Sequence, residues 1–242
     1  MVKSTSENAQ QNSTLQNSKE KKSVSRARKR RYHELDAQKR VSVQSGKGST
    51  RLSSPHRAVF LVGFMGAGKS SVGRALGQRL NWLFEDLDDR IVLREGRPIA
   101  EIFRDSGEAE FRQAEHLALQ QAIQQLQGGV SKIVALGGGA FAQQAIAELL
   151  EASGVPTVFL DAPVEELWQR CCQQAAEADS ERPLLKDIDQ FRQLYNSRRQ
   201  SYLKASLKIQ TGSRTVDAVA AEIAEKLGLE SIALRTESGE AE

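Results

Sequence analysis

A glycine-rich loop precedes a Lys–Ser pair in the stretch GFMGAGKS, residues 63–70, which fits the phosphate-binding pattern G-x-x-x-x-G-K-[ST] at every fixed position. The glycines allow backbone N–H groups to point inward and surround phosphate oxygens. A lysine there can bridge the β- and γ-phosphates of a nucleotide, and the serine hydroxyl can bind Mg²⁺. The predicted phosphate site consists of Gly66, Ala67, Gly68, Lys69, Ser70 and Ser71. The motif predicts nucleotide binding but leaves the phosphate acceptor open.

Two carboxylates follow the second apolar segment, in FEDLDDRI, where Asp86 and Asp88 come just after a predicted strand. Ligands of open parallel sheets bind beyond the carboxyl ends of the strands, so these side chains are expected near the phosphate loop. If the strand continues through both residues, its alternation puts them on the same side. One carboxylate can then serve a metal ion, and the other can accept a hydrogen bond from a substrate hydroxyl. A solvated turn is the alternative.

Three later segments carry further candidate binding groups. In IFRDSGEAEFRQAE, Arg112 and Glu115 share a helix face, where the arginine either grips a carboxylate or forms a surface ion pair. Glycines 137–139 of LGGGA end an apolar strand, so they either let a ligand approach the backbone closely or form a flexible turn. Arg182 in ERPLL follows a polar stretch. It belongs either to a lid that closes over the transferring phosphoryl group or to the ordinary charged surface.

Strands and helices that alternate along the chain must position these groups. Short apolar runs predict strands at residues 58–63, 82–86, 132–139, 155–161 and 206–211. Apolar residues at helical spacing predict helices at residues 70–80, 108–125, 163–174, 188–203 and 215–227. This alternation predicts an α/β fold in which helices cover both faces of a parallel sheet.

The net charge of +3 combines a basic N-terminal segment with an acidic body. Residues 1–57 contain 14 Lys and Arg against 4 Asp and Glu, which gives +10, and the other 20 basic and 27 acidic residues give −7. Residues 1–56 have almost no clustered aliphatic residues, so they are predicted to be a disordered basic extension. A solvated tail, contact with RNA, DNA or another polyanion, and a targeting role all stay open for it. Residues 229–242 are predicted to be a polar, frayed tail.

The two cysteines, Cys171 and Cys172, are adjacent in the chain. Neighbouring residues of a helix point in different directions, so no disulfide framework is expected and a reduced cytoplasmic protein is predicted. No apolar run approaches the ~18–20 residues of a membrane span. The N-terminus also lacks the apolar core of a secretory signal.

The chain closely resembles the shikimate kinase family in six segments, which occur in the family's order and spacing. They are GFMGAGKSSVGRALGQRL, FEDLDDRI, GRPIAEIFRDSGEAEFRQAE, LGGGA, RPLL and RRQSYLKAS. The resemblance covers roughly residues 58–227, about 70% of the chain. It implies a three-layer P-loop NTPase fold of the nucleoside monophosphate kinase type, with a five-stranded parallel sheet flanked by helices. A lid at about residues 171–184 and a helical substrate-binding subdomain are implied within residues 57–228.

The activity that this resemblance implies is ATP-dependent phosphorylation of the 3-hydroxyl of shikimate, which yields shikimate 3-phosphate and ADP on the route to aromatic amino acids. Lys69 and Arg182 would neutralise charge on the phosphates. Ser70 would bind Mg²⁺ directly, and Asp86 would reach the metal through water. Asp88 would contact the shikimate hydroxyls and either orient or deprotonate the attacking oxygen. The implied catalytic residues are Lys69, Asp88 and Arg182, and those that match positions near the adenine are Arg170 and Arg214.

The same resemblance implies that Arg112 and Arg199 grip the carboxylate of shikimate, with Glu115 fixing Arg112. The full implied substrate-binding set is Asp88, Arg112, Glu115, Gly137, Gly138, Gly139 and Arg199. Two alternatives stay open. One is a related small-molecule kinase such as a gluconate kinase, and the other is a regulatory or nucleic-acid-binding protein with a kinase-like body. We expect a monomer, because no extended apolar stripe is left over once the helices are packed.

Overall fold

The computed structural model describes residues 57–177 and 187–229. Its strands form one sheet of β1 (Ala58–Val62), β2 (Leu83–Asp86), β3 (Lys132–Ala135), β4 (Thr157–Asp161) and β5 (Leu207–Gln210). Their order across the sheet is β2–β3–β1–β4–β5, and every neighbouring pair is parallel. The predicted five-stranded parallel sheet is therefore confirmed.

Helices alternate with these strands in the described part of the chain. They are α1 (Lys69–Leu80), α2 (Leu87–Glu95), α3 (Ile99–Gln127), α4 (Gln144–Ser153), α5 (Val164–Glu177), α6 (Ile188–Tyr202) and α7 (Val216–Lys226). A 3₁₀ turn at Ala140–Ala142 precedes α4. The five predicted helices are confirmed, whereas α2 and α4 were not predicted. The third helix begins earlier than predicted and is interrupted at Gly107, whose φ of 80° and ψ of 178° are not helical.

The centre of the sheet is the core of the molecule. Every residue of β1, β3 and β4 is buried. A parallel strand covered on both faces is apolar along its whole length, which explains the uninterrupted run AVFLV of β1. The edge strands β2 and β5 are only partly buried, and some of their side chains are exposed.

The carboxyl ends of three strands deliver the candidate site residues to one edge of the sheet. β1 runs into the phosphate loop, β3 into glycines 137–139, and β2 ends at Asp86. Ala135 at the end of β3 is in register with Asp86 on one side and with Leu61 of β1 on the other. The sheet topology therefore places the loop, the carboxylate and the glycines together.

One local expectation at this edge is corrected by the structure. The second strand ends at Asp86, and Asp88 lies in the first turn of α2. Strand alternation therefore does not relate the two carboxylates. Instead, Asp86 caps α2 by accepting a hydrogen bond from the backbone N–H of Asp88 at 3.1 Å.

The predicted lid and the predicted ends of the domain lie only partly within the described residues. Residues 171–177 of the predicted lid belong to α5, in which Cys171 is fully buried. Leu229, the last described residue, is buried. The basic extension 1–56, Arg182 with the rest of the predicted lid, and the tail beyond Leu229 lie outside the described residues.

Both cysteines are free thiols. Within residues 57–177 and 187–229, no helix combines the length and the apolar character needed to cross a membrane.

Candidate active site

The phosphate loop, residues 63–68, joins β1 to α1 and packs tightly against α5. Gly66 has a φ of 77°, and a Cβ atom there would lie 2.7 Å from the carbonyl oxygen of Leu167 and 2.9 Å from Cys171 Sγ. Only glycine fits this close approach. Gly68 caps α1, so the loop leads directly to the N-terminus of a helix, where backbone N–H groups favour anions.

Lys69 holds its ammonium group over this loop. Its Nζ donates hydrogen bonds of 2.9 Å to the backbone carbonyls of both Gly63 and Phe64. Burial lowers the pKa of Lys69 from its usual value, and the carboxylates of Asp88 and Asp86 oppose that shift. A partly buried cation beside two carboxylates is thus in place at the loop that would bind phosphates.

Oxygen atoms suited to Mg²⁺ meet at the start of α1. The Ser70 hydroxyl donates to Asp86 Oδ2 at 2.6 Å, so the two predicted metal-binding residues are adjacent. No group of three or more His, Cys, Asp or Glu residues that could hold a metal occurs in the described part of the chain. This donor set fits Mg²⁺, which prefers oxygen and usually binds one or two protein groups together with phosphates and water.

Asp88 is a carboxyl group at this edge whose pKa is raised. Burial raises its pKa to about 6, the neighbouring Asp86 adds to the rise, and Lys69 acts against it. Among the described residues, no donor reaches its buried Oδ1 atom. A Cβ atom at Gly137 would lie only 2.8 Å from that oxygen. Asp88 therefore points at the glycine backbone, where its oxygen would gain from a hydroxyl donor.

Arg112 extends from α3 toward the same glycines and is held by two glutamates. Its Nη1 donates to Glu115 Oε2 at 2.9 Å, and its Nε and Nη2 donate to Glu108 Oε1 at 3.2 and 2.9 Å. The Glu115 side chain is 1% exposed, whereas that of Glu108 is 67% exposed. Gln143 also donates to Glu115 Oε2, at 2.6 Å. The guanidinium thus has one firmly buried anchor and one exposed, weaker contact.

A second guanidinium, that of Arg198 on α6, reaches the same glycines. It donates to the carbonyl oxygen of Gly138 at 3.2 Å and stands 5.9 Å from the centre of the Phe64 ring. A Cβ atom at Gly139 would lie 3.2 Å from Arg112 Nη2 and 3.4 Å from Arg198 Nη2. The two cations therefore approach the same point of the backbone. The hydroxyl of Tyr202 also donates to the Gly138 carbonyl, which ties α6 to this strip.

Arg199, the residue expected to grip a carboxylate, is not brought to this group. Its Nε donates to the Tyr195 hydroxyl at 3.1 Å, and its Nη2 lies 3.4 Å from Asp161 Oδ2. Lys208 and Tyr195 also contact the Asp161 carboxylate, at 2.9 and 2.8 Å. Successive helix residues point about 100° apart, so only one of two adjacent arginines can face the glycines.

The two residues matched to adenine contacts both reach the carboxyl end of β5. Arg170 on α5 donates to the carbonyl oxygens of Gly66 and Thr211 at 3.4 and 2.9 Å, so it borders the phosphate loop. Arg214 follows β5 and is bound to Glu222 of α7 and to the Gln210 carbonyl. Arg170 therefore lies beside the phosphate loop, whereas the contacts of Arg214 in the described part of the chain are with the end of β5 and with α7.

Sequence reasoning assigned no role to Arg198, which lies in the segment RRQSYLKAS, and did not single out Gln143. A signal for Arg198 was present, because it lies seven residues after Phe191 and four before Tyr202, both fully buried. That helical spacing places it on the inward stripe of α6. Gln143 had no such signal, because its partner lies 28 positions away in the chain.

Comparison with known proteins places this arrangement in a family. The shikimate kinase family model matches residues 65–228. The shikimate kinase of Geobacter sulfurreducens is 40% identical over 182 residues, which cover 74% of this chain and 95% of that protein. The shikimate kinase of Persephonella marina is 34% identical over 168 residues, which cover 69% and 96% of the two chains. The chain belongs to the shikimate kinase family.

Solved structures agree with this membership in the shikimate kinase family. Shikimate kinase from Acinetobacter baumannii in complex with shikimate superposes with a TM-score of 0.61 at 32% identity, covering 70% of this chain and 92% of that one. Shikimate kinase from Aquifex aeolicus gives a TM-score of 0.61 at 33% identity, covering 73% and 99%. The family resemblance and the P-loop kinase fold expected from the sequence are confirmed.

Proposed function

We propose that the protein transfers the γ-phosphoryl group of ATP to the 3-hydroxyl of shikimate, forming shikimate 3-phosphate and ADP. The observation that carries this proposal is the convergence on glycines 137–139 of two arginines, Arg112 and Arg198, and of the buried carboxylate of Asp88. Shikimate is a small polyol with one carboxylate. It therefore needs cations for the acid group and a hydrogen-bond acceptor for its hydroxyls, and this strip supplies both.

At the nucleotide end, the phosphate loop and Lys69 would bind the β- and γ-phosphates. The ammonium group already lies over the loop carbonyls, so it needs only to exchange those contacts for phosphate oxygens. Phosphoryl transfer depends mainly on alignment and on neutralising charge. Arg182, outside the described residues, belongs to this proposal as the lid arginine, and Arg170 and Arg214 as neighbours of the adenine.

At the acceptor end, Asp88 would accept the hydrogen bond of the attacking hydroxyl. The new bond forms between that oxygen and the γ-phosphorus, while the bond from the γ-phosphorus to the β–γ bridging oxygen breaks and ADP leaves. A pKa raised to about 6 keeps Asp88 largely ionised at neutral pH and more basic than an ordinary aspartate. It is therefore suited to orient the hydroxyl and to take its proton.

Ser70 and Asp86 would hold Mg²⁺, which would supply charge neutralisation for the β- and γ-phosphates when bound. The 2.6 Å contact between their oxygens supports this assignment, because both are hard donors at the end of the phosphate loop. Asp86 also caps α2 through its other oxygen. It therefore fixes the helix that carries Asp88 relative to the serine.

The proposal extends to the whole chain. We infer that it acts as a monomer in the cytoplasm, a location supported by its two adjacent free thiols. The charge of +10 on residues 1–57 supports contact between residues 1–56 and a polyanion. Binding of the full chain to RNA or DNA that weakens with salt, and that is lost from a chain beginning at residue 57, would support that contact. Binding that survives the truncation would contradict it.

The deciding experiment measures ADP release from ATP and Mg²⁺ by the full-length protein, with shikimate, quinate, gluconate or no acceptor. We expect rapid turnover with shikimate alone. Turnover with gluconate instead would favour the related sugar-acid kinase. No shikimate-dependent turnover, in protein shown to be folded and to bind ATP, would refute the proposal.

Replacement of Arg112 by alanine gives a second, independent test of the acceptor site. It removes one of the two guanidinium groups at Gly139, so the KM for shikimate should rise strongly while ATP binding stays largely intact. An equal loss of affinity for both substrates would contradict the assignment. Binding measured separately for each substrate, by calorimetry, decides between the two results.

A further inference from the structure

The buried carboxylate of Glu115 receives two side-chain hydrogen bonds on the same oxygen. Arg112 Nη1 donates to Oε2 at 2.9 Å, and Gln143 Nε2 donates to it at 2.6 Å. The other oxygen, Oε1, faces the glycine strip, since a Cβ atom at Gly137 would lie 3.1 Å from it. Glu115 is therefore a buried link between Gln143 and the guanidinium that points at Gly139.

The backbone of Gln143 is fixed on both sides. Its N–H donates to the Ala140 carbonyl at 3.0 Å, and its carbonyl accepts from the Ala147 N–H at 3.0 Å. It occupies the N-cap position of α4 in an extended conformation, with φ −87° and ψ 129°. The amide of its side chain therefore starts from a rigid junction between the 3₁₀ turn and the helix.

This residue type is a poor choice for the local structure. N-cap positions favour Ser, Thr, Asp and Asn, whose short side chains bond the first N–H groups of the helix. The side chain of Gln143 makes no such capping hydrogen bond, and its amide donates to Glu115 instead. The contact with Glu115, and not the helix start, accounts for the length and chemistry of the side chain.

The consequence concerns the orientation of Arg112. Its exposed partner Glu108 can be exchanged for a substrate carboxylate, while Glu115 stays in place. A carboxylate held by one donor can rotate about its side-chain bonds, whereas a second donor on a fixed backbone restricts that rotation. Preorganised binding groups lose less entropy when a ligand binds. Gln143 thus restricts the orientation of the Glu115 carboxylate and, through it, the orientation of the Arg112 guanidinium.

We propose that Gln143 is a positioning residue for the acceptor substrate: its amide fixes Glu115, which in turn holds Arg112 ready for the carboxylate of shikimate. This inference rests on the proposed function, because it assigns the carboxylate to Arg112. Gln143 itself does not touch the substrate. Its effect should therefore appear in the recognition of the carboxylate and not in the chemical step.

Gln143→Met removes the amide and keeps an unbranched side chain of similar length, and Gln143→Ala removes the amide without placing a new group against Glu115. The matched control is Gln144→Met, because Gln144 is the next residue and its amide contacts only the exposed Glu148 in the described structure, at 2.8 Å. Loss of one hydrogen bond predicts a rise of about 2- to 12-fold in the KM for shikimate. The kcat, the KM for ATP and all parameters of the control should stay within about twofold, the scatter expected for surface changes.

Two readouts separate positioning from a general structural role. The first is the ratio of kcat/KM for shikimate to kcat/KM for its methyl ester. This ratio should fall in the Gln143 variants, because the ester lacks the carboxylate that Arg112 binds and is therefore less affected. The second is a double-mutant cycle with Arg112→Ala, in which Gln143→Met should have little further effect on the KM for shikimate. An additive effect, or an equal loss for acid and ester, would overturn the proposal.

The wild-type enzyme distinguishes failure of this inference from failure of the proposed function. If the wild type does not phosphorylate shikimate, the function is wrong and the inference falls with it. If the wild type is active and both Gln143 variants match it, only the positioning role is wrong. If neither variant folds while Gln144→Met does, Gln143 serves the fold and the proposal is overturned.

Discussion

Replacing Arg198 by alanine should weaken shikimate binding, whereas replacing its neighbour Arg199 should not. Arg198 donates to the Gly138 carbonyl at 3.2 Å and faces the same point as Arg112, while Arg199 is turned toward Asp161. The two variants remove the same group from adjacent positions of one helix. They therefore test which direction the helix presents to the substrate.

The magnitude follows from the contacts. A hydrogen bond to a charged group contributes about 1.5–3 kcal/mol, so Arg198→Ala should raise the KM for shikimate roughly 10- to 150-fold. The Arg199 side chain is 34% exposed, and Asp161 keeps its contacts with Lys208 and Tyr195. A partly exposed ion pair contributes about 0–1 kcal/mol, so Arg199→Ala should cost a few degrees of Tm at most and leave KM nearly unchanged.

The assay is steady-state kinetics with shikimate and ATP varied separately, together with thermal unfolding of both variants. Equal KM values for shikimate in Arg198→Ala and wild type would refute the placement of the carboxylate between Arg112 and Arg198. A large rise in KM for Arg199→Ala, with its Tm unchanged, would restore the assignment expected from the sequence. Tm values are needed because α6 carries both residues.

Three further perturbations test other parts of the site and its support. Lys69→Ala should lower kcat roughly 100- to 1,000-fold, because it removes the cation that meets the developing charge; near-normal turnover would exclude the loop from the reaction. Gly137→Ala places a Cβ atom 2.8 Å from Asp88 Oδ1, so turnover should fall about 100-fold while calorimetry still detects ATP binding. Burial raises the pKa of Asp161, but its hydrogen bonds with Lys208 and Tyr195 outweigh burial and hold that pKa below its usual value. The carboxylate therefore stabilises the fold above the unfolded pKa of about 3.9, and that stability is lost as pH falls through the lower folded pKa. Denaturant melts of Asp161→Asn should show a lower free energy of unfolding at pH 7 and a flatter decline below about pH 4 than wild type; identical curves would contradict this.

Local patterns were sufficient for most of the fold. Apolar runs identified the five strands of the described residues. The phosphate loop was recognisable because its glycines, lysine and serine fall within eight residues between a strand and a helix. The helices α2 and α4 were not predicted, because with nine and ten residues each spans too few turns for a clear helical periodicity. The start of α3 was missed because Gly107 interrupts its periodicity.

The site was only partly predictable, because its geometry depends on how the elements pack. Asp86 contacts Ser70 at the end of the phosphate loop, and the capping of α2, not strand alternation, relates Asp86 to Asp88. The raised pKa of Asp88 depends on how deeply packing buries it, which composition does not reveal. The basic extension and the lid arginine remain predictions.

The groups available for chemistry could be read from the chain, because the phosphate loop, the carboxylates and the arginines belong to local patterns with local physical reasons. Which of these groups meet depends on how the helices pack. One step along a helix turns a side chain by about 100°, so Arg198 reaches the glycine strip while Arg199 binds Asp161. The hydrogen bond from Gln143 to Glu115 joins residues 28 positions apart, and it exists only because α3 packs against the start of α4.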